Sequence, residues 1–232
     1  MIDALSAEKL VRAFHATRPG ETHAAWARVG SYELLASMVS GRVLDLACGS
    51  ALMPGAVGLD SSREELSLAS GARVQGRAQE LPFRDQVFDG VVCHLGFMLF
   101  DDVESVVREV GRVLVPGGTF VALLGGGPTS DGHDAFHAFL DLAKPCLHGA
   151  LPGDRRAKSL AGWRELFAGW REPRFERVVL DLGGSFDEVW TFLGASYQLA
   201  SEHADTVRAA LRAQIGERSS CRVVAWVATV AR

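Results

Sequence analysis

Short β-rich runs alternate with helical segments between residues 41 and 125, and this alternation constrains the fold more than any other feature. The segment from Asp101 to Leu114 places apolar residues at three- and four-residue intervals, as an amphipathic helix does. Strands that alternate with helices form crossover units, so the pattern predicts a parallel sheet with helices on both faces. The five runs are 42–47, 56–59, 72–75, 87–94 and 119–124.

The rest of the chain adds two further strands, which brings the predicted sheet to seven strands, mostly parallel. Its helices are predicted at 134–143, 159–170, 186–199 and 203–215, and its strands at 175–182 and 222–231. The pattern is less regular after Gly125-Gly-Gly, and we predict a helical cap over the strand ends there.

Residues 1–40 are predicted to be helical on both sides of a break at Arg18-Pro19-Gly20, with the second helix starting near Glu21. No Ser- or Gly-rich linker divides the remaining residues. We therefore predict an N-terminal helical lid over 1–40 and one domain over 41–232, with a cap insertion at about 126–172.

Charge and cysteine content exclude several classes of protein. The chain has 28 acidic and 24 basic residues, a formal net charge of −4, which argues against a nucleic-acid partner. The cysteines, at 48, 93, 146 and 221, have neither zinc-ligand spacing nor the density of a disulfide framework. We expect no metal site, mostly buried free thiols and a reducing, cytoplasmic compartment.

Membrane association is not expected either. The N-terminus lacks a basic and then apolar signal region. The uncharged stretch from Val113 to Ser130 contains prolines and glycines that suit strands and turns better than a membrane helix. The predicted partner is a small molecule, and the predicted assembly is a monomer or a homodimer.

Two strand ends carry residues suited to ligand binding. Ligands of open parallel sheets bind at the carboxyl ends of the strands, near the switch in strand order. Small residues around Gly49 let a ligand approach the backbone after the first run, and Asp60 at the end of the second could accept both hydroxyls of a ribose. Taken alone, each also suits a plain turn or a helix-capping aspartate; the pair is more specific.

The order of five motifs resembles that of class I S-adenosylmethionine-dependent methyltransferases, especially the small-molecule group that includes quinone methylases. The resemblance implies a Rossmann-like fold, S-adenosylmethionine as the cofactor, and methyl transfer to a small molecule. The aromatic side chains in and around the predicted cap favour a hydrophobic or aromatic metabolite as the acceptor. The motifs are VLDLACGS (43–50), GLDSS (58–62), AQELPF (78–83), QVFDGVV (86–92) and REVGRVLVPGG (108–118).

The resemblance also implies ten cofactor-binding residues. They would serve the methionine end (Asp45, Ala47, Cys48 and Gly49), the ribose (Asp60, followed by Ser61), the adenine (Ala78 and Gln79) and the region beside the sulfonium (His94 and Leu95).

Three departures from the family pattern concern the same site. Alanines at 47 and 51 flank Gly49, where the family usually carries three alternating glycines. Arg77 stands where the family often has an aspartate that contacts the adenine amino group. Asp60 follows Gly49 by only 11 positions, so the first crossover helix is predicted to shrink to about a turn, which also argues against a dinucleotide cofactor.

The acceptor side is less constrained by the sequence. An oxygen or nitrogen acceptor can require a general base, whereas a carbon nucleophile can react with stabilisation of its enolate alone. His133 and His137 are the candidate bases, since a four-residue spacing puts both on one face of a cap helix; the alternative is two surface histidines. His15 and His23 flank the N-terminal break.

Aromatic and sulfur-containing side chains are candidates for an apolar acceptor pocket, although ordinary core packing explains them equally well. They are Phe97, Met98, Phe100, Phe136, Phe139, Trp163, Trp170 and Trp190. Two other functions stay open: a relative of the fold that binds the cofactor but catalyses a non-methylating reaction such as a cyclisation, and a binding module without activity.

Overall fold

The computed structural model describes residues 7–51, 53–146, 153–197, 199 and 201–232. Seven strands form the main sheet, in the order β3-β2-β1-β4-β5-β9-β6. Pairing is parallel from β3 through β5, and β9 runs antiparallel to both β5 and β6. The strands are β1 (Val43–Leu46), β2 (Val57–Asp60), β3 (Arg73–Gln75), β4 (Phe88–His94), β5 (Leu114–Pro128), β6 (Arg174–Asp181) and β9 (Arg222–Ala231).

This sheet confirms the predicted α/β fold with seven mostly parallel strands. A separate pair, β7 (Gly184–Ser185) with β8 (Arg218–Ser219), was not predicted. The turn expected at Pro116-Gly117-Gly118 lies inside β5, where the pairing with β4 shifts register.

Nine helices lie among the described residues, and they match the predicted helical segments except in one place. The single helix expected after Glu21 is broken at Gly30, whose φ of +66° is a left-handed conformation that ends a helix. The described residues between β1 and β2 hold no helix, so the first crossover is shorter still than the single turn predicted for it. The helices are α1 (Ala7–Thr17), α2 (Glu21–Trp26), α3 (Ser31–Ala36), α4 (Arg63–Leu68), α5 (Val103–Val113), α6 (Ala135–Ala143), α7 (Leu160–Leu166), α8 (Phe186–Ser196) and α9 (Ser201–Ile215).

Two apolar cores cover the two faces of the sheet. Successive residues of β5 belong alternately to the two cores. Val121 and Leu123 lie in the core formed with α2, α3, α6, α8 and α9. Phe120 and Ala122 lie in the core formed with α5 and α7. Two helices of the segment 126–172 thus lie on opposite faces, since α6 belongs to the first core and α7 to the second.

The loop after β3 is fixed to α5 by one arginine. Arg112 donates hydrogen bonds to the carbonyl oxygens of Leu81 (2.9 Å) and Phe83 (2.8 Å). Glu109, one turn earlier, accepts from the Leu81 backbone N–H at 2.7 Å. These contacts position the residues just upstream, which border the candidate site.

Three cysteines, Cys48, Cys93 and Cys221, are buried, and burial is the main cause that raises the pKa of each thiol. None of the described helices is long and apolar enough to cross a membrane. Within the described ranges, no group of three or more His, Cys, Asp or Glu residues is arranged to hold a metal ion.

The two histidines predicted as general bases lie at the start of α6, where they bind the protein itself. His137 completes the capping box of the helix: its Nδ1 accepts the Asp134 backbone N–H at 3.3 Å, and its Nε2 lies 2.9 Å from the Thr129 carbonyl oxygen. The His133 ring stacks on that of His137, and its Nε2 lies 3.3 Å from Asp141 Oδ2. Neither residue lines the cavity described below, so the geometry does not support their assignment as bases.

We expect Asp134→Ala to destabilise the protein strongly. The buried Asp134 carboxylate accepts the backbone N–H groups of Phe136 (3.1 Å) and Arg222 (2.6 Å) as well as contacting His137, so its loss leaves donors unpaired. Such a loss costs about 2–4 kcal/mol. Urea unfolding would measure it. His133→Ala is the matched control, with a change within about 0.5 kcal/mol; equal effects of the two variants would contradict this account of the α6 start.

Candidate functional site

A cavity of about 660 Å³ opens at the carboxyl ends of β1, β2, β3 and β4. The strand order reverses between β1 and β4, so the cavity lies at the switch point of the sheet, where ligands of such folds bind. Nine of the ten residues predicted to bind the cofactor line it: Ala47, Cys48, Gly49, Asp60, Ser61, Ala78, Gln79, His94 and Leu95.

The tenth residue, Asp45, lies beneath the cavity wall. Its side chain is buried, and its Oδ2 accepts the backbone N–H of Met53 at 2.9 Å. Burial raises the pKa of Asp45 to about 7, the Met53 hydrogen bond opposes this shift, and the charge of Asp60 adds to it. Asp45 therefore fixes the path of the loop after β1 without facing the cavity.

The loops after β1 and β4 touch each other at the switch point. Ala47 and Leu95 have φ values of +55° and +61°, in the left-handed region that non-glycine residues rarely adopt. A Cβ atom on Gly96 would lie 2.8 Å from the Ala47 Cβ, closer than real Cβ contacts. Glycine at 96 therefore allows the close approach of the two loops.

Asp60, the last residue of β2, is hydrogen-bonded to the loop after β1 and to the residues that follow β2 itself. Its Oδ2 accepts the Gly49 N–H at 2.8 Å, and its Oδ1 accepts the Ser62 N–H at 2.7 Å. Burial raises the pKa of Asp60, and these two hydrogen bonds oppose the shift. Because a carboxylate oxygen can accept two hydrogen bonds, each oxygen keeps a lone pair for a further donor. The residue can thus hold two adjacent hydroxyl groups.

Carboxylates give the loop after β1 a negative environment. Burial is the main cause that raises the pKa of Cys48, and the charges of Asp45, Asp60 and Glu65 each raise it further. A ligand that carries positive charge would be favoured at this loop. The methionine end of S-adenosylmethionine, with its sulfonium and ammonium groups, is such a ligand.

Helix α1 crosses the cavity and is attached at both ends. At its C-terminal end, the buried Glu65 of α4 accepts hydrogen bonds from His15 Nδ1 and from the Gly20 N–H (3.1 Å). Burial would raise the pKa of Glu65, but these bonds hold it below its usual range. At the other end, Glu8 binds Arg77 (3.2 Å) and Gln79. This placement supports the lid predicted for the N-terminal segment.

The far half of the cavity is largely aromatic. Of the eight apolar side chains proposed from the sequence, Met98 and Phe100 line the cavity as a whole. Four of the others, Phe97, Phe136, Phe139 and Trp163, are buried in the two cores. The sequence reasoning missed the other aromatic walls, Trp26, Tyr32, Phe192 and Tyr197, since aromatic residues at helical spacing look the same in a core and in a pocket.

Two histidines lie where the two halves of the cavity meet. His94 Nε2 is 2.9 Å from Ser31 Oγ, and the His94 ring stacks on Tyr32 with centroids 4.0 Å apart. Burial lowers the pKa of His94 to about 3, and His23 contributes to the shift, so His94 is neutral. The His23 ring meets the edge of Tyr32 (5.5 Å), and its buried Nδ1 has no hydrogen-bond partner within the described part of the chain.

Residues 40–122 match the family model described as a methyltransferase domain, and this segment contains β1 to β4 with every cofactor-site loop. This part of the chain is therefore similar to methyltransferase domains. The donor set of the cavity suits S-adenosylmethionine: Asp60 offers spare lone pairs for ribose hydroxyls, and the loop after β1 lies in a negative field.

Curated relatives and a solved structure show the same similarity. The chain is 30% identical over 145 residues to the uncharacterized methyltransferase YcgJ of Bacillus subtilis (strain 168), covering 55% of each chain. It is 31% identical over 133 residues to a demethylmenaquinone methyltransferase of Bacillus mycoides (strain KBAB4), covering 48% of this chain and 56% of that one. The crystal structure of YcgJ has the same fold, with a TM-score of 0.58, 20% identity and coverage of 87% and 97%.

This chain therefore spans about half the length of the curated relatives that it matches. The matched family segment ends inside β5. The aromatic half of the cavity includes residues of α2 and α8, which lie outside that segment. The function of this acceptor half therefore has to be argued from its own residues.

We expect Asp60→Ala to weaken the binding of S-adenosylhomocysteine by about 30-fold or more, since two charge-assisted hydrogen bonds of roughly 1 kcal/mol or more each are lost. Isothermal titration calorimetry measures this change. Thermal unfolding of the same variant shows that it folds. An affinity within twofold of that of the wild type would contradict the role of Asp60 at the ribose.

We expect Asp45→Asn to stabilise the ligand-free protein at pH 8 but not at pH 4. The folded-state pKa of Asp45, about 7, lies above the unfolded value, so the folded state binds more protons between these values and stability falls as the pH rises. Each pKa unit corresponds to about 1.4 kcal/mol, and we expect a gain of at least about 1 kcal/mol at pH 8. Urea unfolding at both pH values checks this, with the exposed Asp141→Asn as the control. A variant that is destabilised equally at both would contradict it.

Proposed function

We propose that this chain transfers the methyl group of S-adenosylmethionine to a small hydrophobic or aromatic acceptor. One observation carries the proposal: a single cavity runs from Asp60 past His94 into a chamber walled by Trp26, Phe192 and Tyr197. A cofactor at the strand ends would leave this chamber for a second molecule beside His94. Flat aromatic walls suit an apolar or aromatic acceptor.

The bound cofactor supplies a methyl group that its positively charged sulfur already activates. The chain has to hold it, align the acceptor and exclude water. Asp60 would hold the ribose, and the loop after β1 would receive the charged methionine end. Helix α1, attached through Glu8 and His15, covers this half of the cavity and limits the access of water.

We propose His23 as the general base for an oxygen or nitrogen acceptor. It lines the cavity, it lies beside Tyr32 at the junction of the two halves, and its buried Nδ1 has no hydrogen-bond partner among the described residues. His94 does not suit the task, because its pKa is far below neutrality and Ser31 occupies its Nε2. His133 and His137 are bound at the start of α6, away from the cavity.

A non-methylating reaction or a pure binding role is the alternative, and we do not favour it. The chamber beside the cofactor end gives an acceptor a place to react, which a binding module would not need. The chamber also contains a titratable group, His23, within the reach of that acceptor.

The test is methyl transfer from radiolabelled S-adenosylmethionine to a panel of phenols, hydroxyquinones, aromatic carboxylates and aromatic amines. With any acceptor that the wild type methylates, we expect His23→Ala to lower the single-turnover rate by at least about 100-fold, as for a lost general base, with S-adenosylhomocysteine affinity unchanged. Added imidazole should restore part of the rate.

His133→Ala is the matched control, with an unchanged rate. Lys158→Ala tests another titratable group that lines the cavity, whose pKa is lowered by burial and by Arg155. If His23→Ala retains the wild-type rate while Lys158→Ala loses it, the base is not His23. If the wild type binds S-adenosylhomocysteine but methylates nothing in the panel, the proposed acceptor class is wrong.

A further inference from the structure

Glu8 places a carboxylate next to Arg77, at the end of the cavity that lies beside the loop after β3. Described carboxylates that line the cavity are Glu8, Asp60, Glu65 and Asp101. Asp60 lies at the end of β2, and Glu65 lies at the opposite end of α1, next to Gly49. Glu8 belongs to the first turn of α1 and lies against the loop after β3.

We propose that Glu8 accepts a hydrogen bond from the exocyclic amino group of the cofactor's adenine, and that Arg77 and Gln79 hold the Glu8 carboxylate in place for it. This inference rests on the cofactor of the proposed function and goes beyond the residues that the family motifs supply. It assigns a cofactor contact to the lid helix.

Sheet order gives the direction in which the base lies. Strand β3 is the outer neighbour of β2, and Asp60 pairs with Gln75 at the ends of the two strands. A base attached to a ribose held by Asp60 can extend over the end of β3, where Gly76, Ala78 and Gln79 line the cavity. Glu8 borders the same space.

Arg77 cannot bind an amino group itself, since a guanidinium only donates hydrogen bonds. Its Nη2 instead lies 3.2 Å from Glu8 Oε2, and Gln79 Nε2 donates to Glu8 Oε1. Each carboxylate oxygen thus has one partner and keeps one lone pair. The Arg77 side chain is 61% exposed and that of Glu8 28%, so Arg77 approaches from the solvent side and Glu8 lies nearer the cavity.

Asp101 is the competing acceptor. It also lines the cavity, but its Oδ2 lies 3.4 Å from the Glu8 backbone N–H, so it faces the first turn of α1. An aspartate in that position helps to hold the N-terminus of the helix. The experiment therefore compares the two carboxylates directly.

The test measures, by calorimetry, the affinity for S-adenosylhomocysteine and for S-inosylhomocysteine, in which a carbonyl oxygen replaces the amino group. The wild type should prefer the adenine compound by at least tenfold, because a carboxylate repels that oxygen. Glu8→Ala should lose most of this preference. Glu8→Gln should lose it too, since the amide can turn its NH₂ towards the oxygen, and this variant keeps the size of the side chain.

A rescue and two controls complete the design. Glu8→Ala combined with Arg77→Asp should regain the preference, because it places a carboxylate on the loop that follows β3. Asp101→Asn should keep it, as should Glu21→Ala, which removes an acid of the next helix that does not line the cavity.

The measured preferences either uphold or overturn the assignment of Glu8 to the adenine amino group. An unchanged preference in both Glu8 variants, or a loss of preference in Asp101→Asn, overturns the assignment. A wild type that binds neither compound overturns it together with the cofactor. A wild type that shows the Glu8-dependent preference yet methylates no acceptor upholds the inference and counts only against the proposed methyl transfer.

Discussion

The contact between the loops after β1 and β4 determines where the site can form. Ala47 and Leu95 take left-handed conformations there, and Gly96 has no Cβ that would collide with Ala47. Below the contact, the buried Asp45 accepts the Met53 N–H; burial raises the pKa of Asp45, and this hydrogen bond opposes the shift. The backbone around Gly49 is therefore fixed by packing before any ligand arrives, and the cavity starts at that point.

Electrostatics then distinguish the two halves of the cavity. Buried carboxylates lie around the loop after β1, and their negative charge suits a cation. The acceptor half is lined mainly by aromatic side chains and by His23, whose buried Nδ1 has no hydrogen-bond partner among the described residues. The neutral His94, stacked on Tyr32, lies at the boundary between them. Such a division matches a reaction in which a charged donor meets an apolar acceptor.

The N-terminal segment contributes more to this site than the segment expected to form a cap. Helix α1 binds both ends of the cofactor half through Glu8 and His15, and α2 brings His23 and Trp26 to the acceptor half. The α6 helix instead buries its aromatic side chains in a core, and its histidines close its own first turn. A substrate contact and a helix cap need the same polar side chains, so only their location separates the two roles.

The sequence alone determined the sheet and most of the cofactor half. Strand periodicity is local, and the residues after β1, β2 and β4 come directly after the strand ends, so the parallel sheet brings them together at one edge. The roles of Glu8, His23 and Glu65 depend on how α1 and α2 lie across that edge. This placement arises from contacts between residues far apart in the chain, such as His15 with Glu65, and no local pattern of apolar residues encodes it. For that reason only the tertiary structure identified the lid contacts and moved the candidate base from α6 to α2.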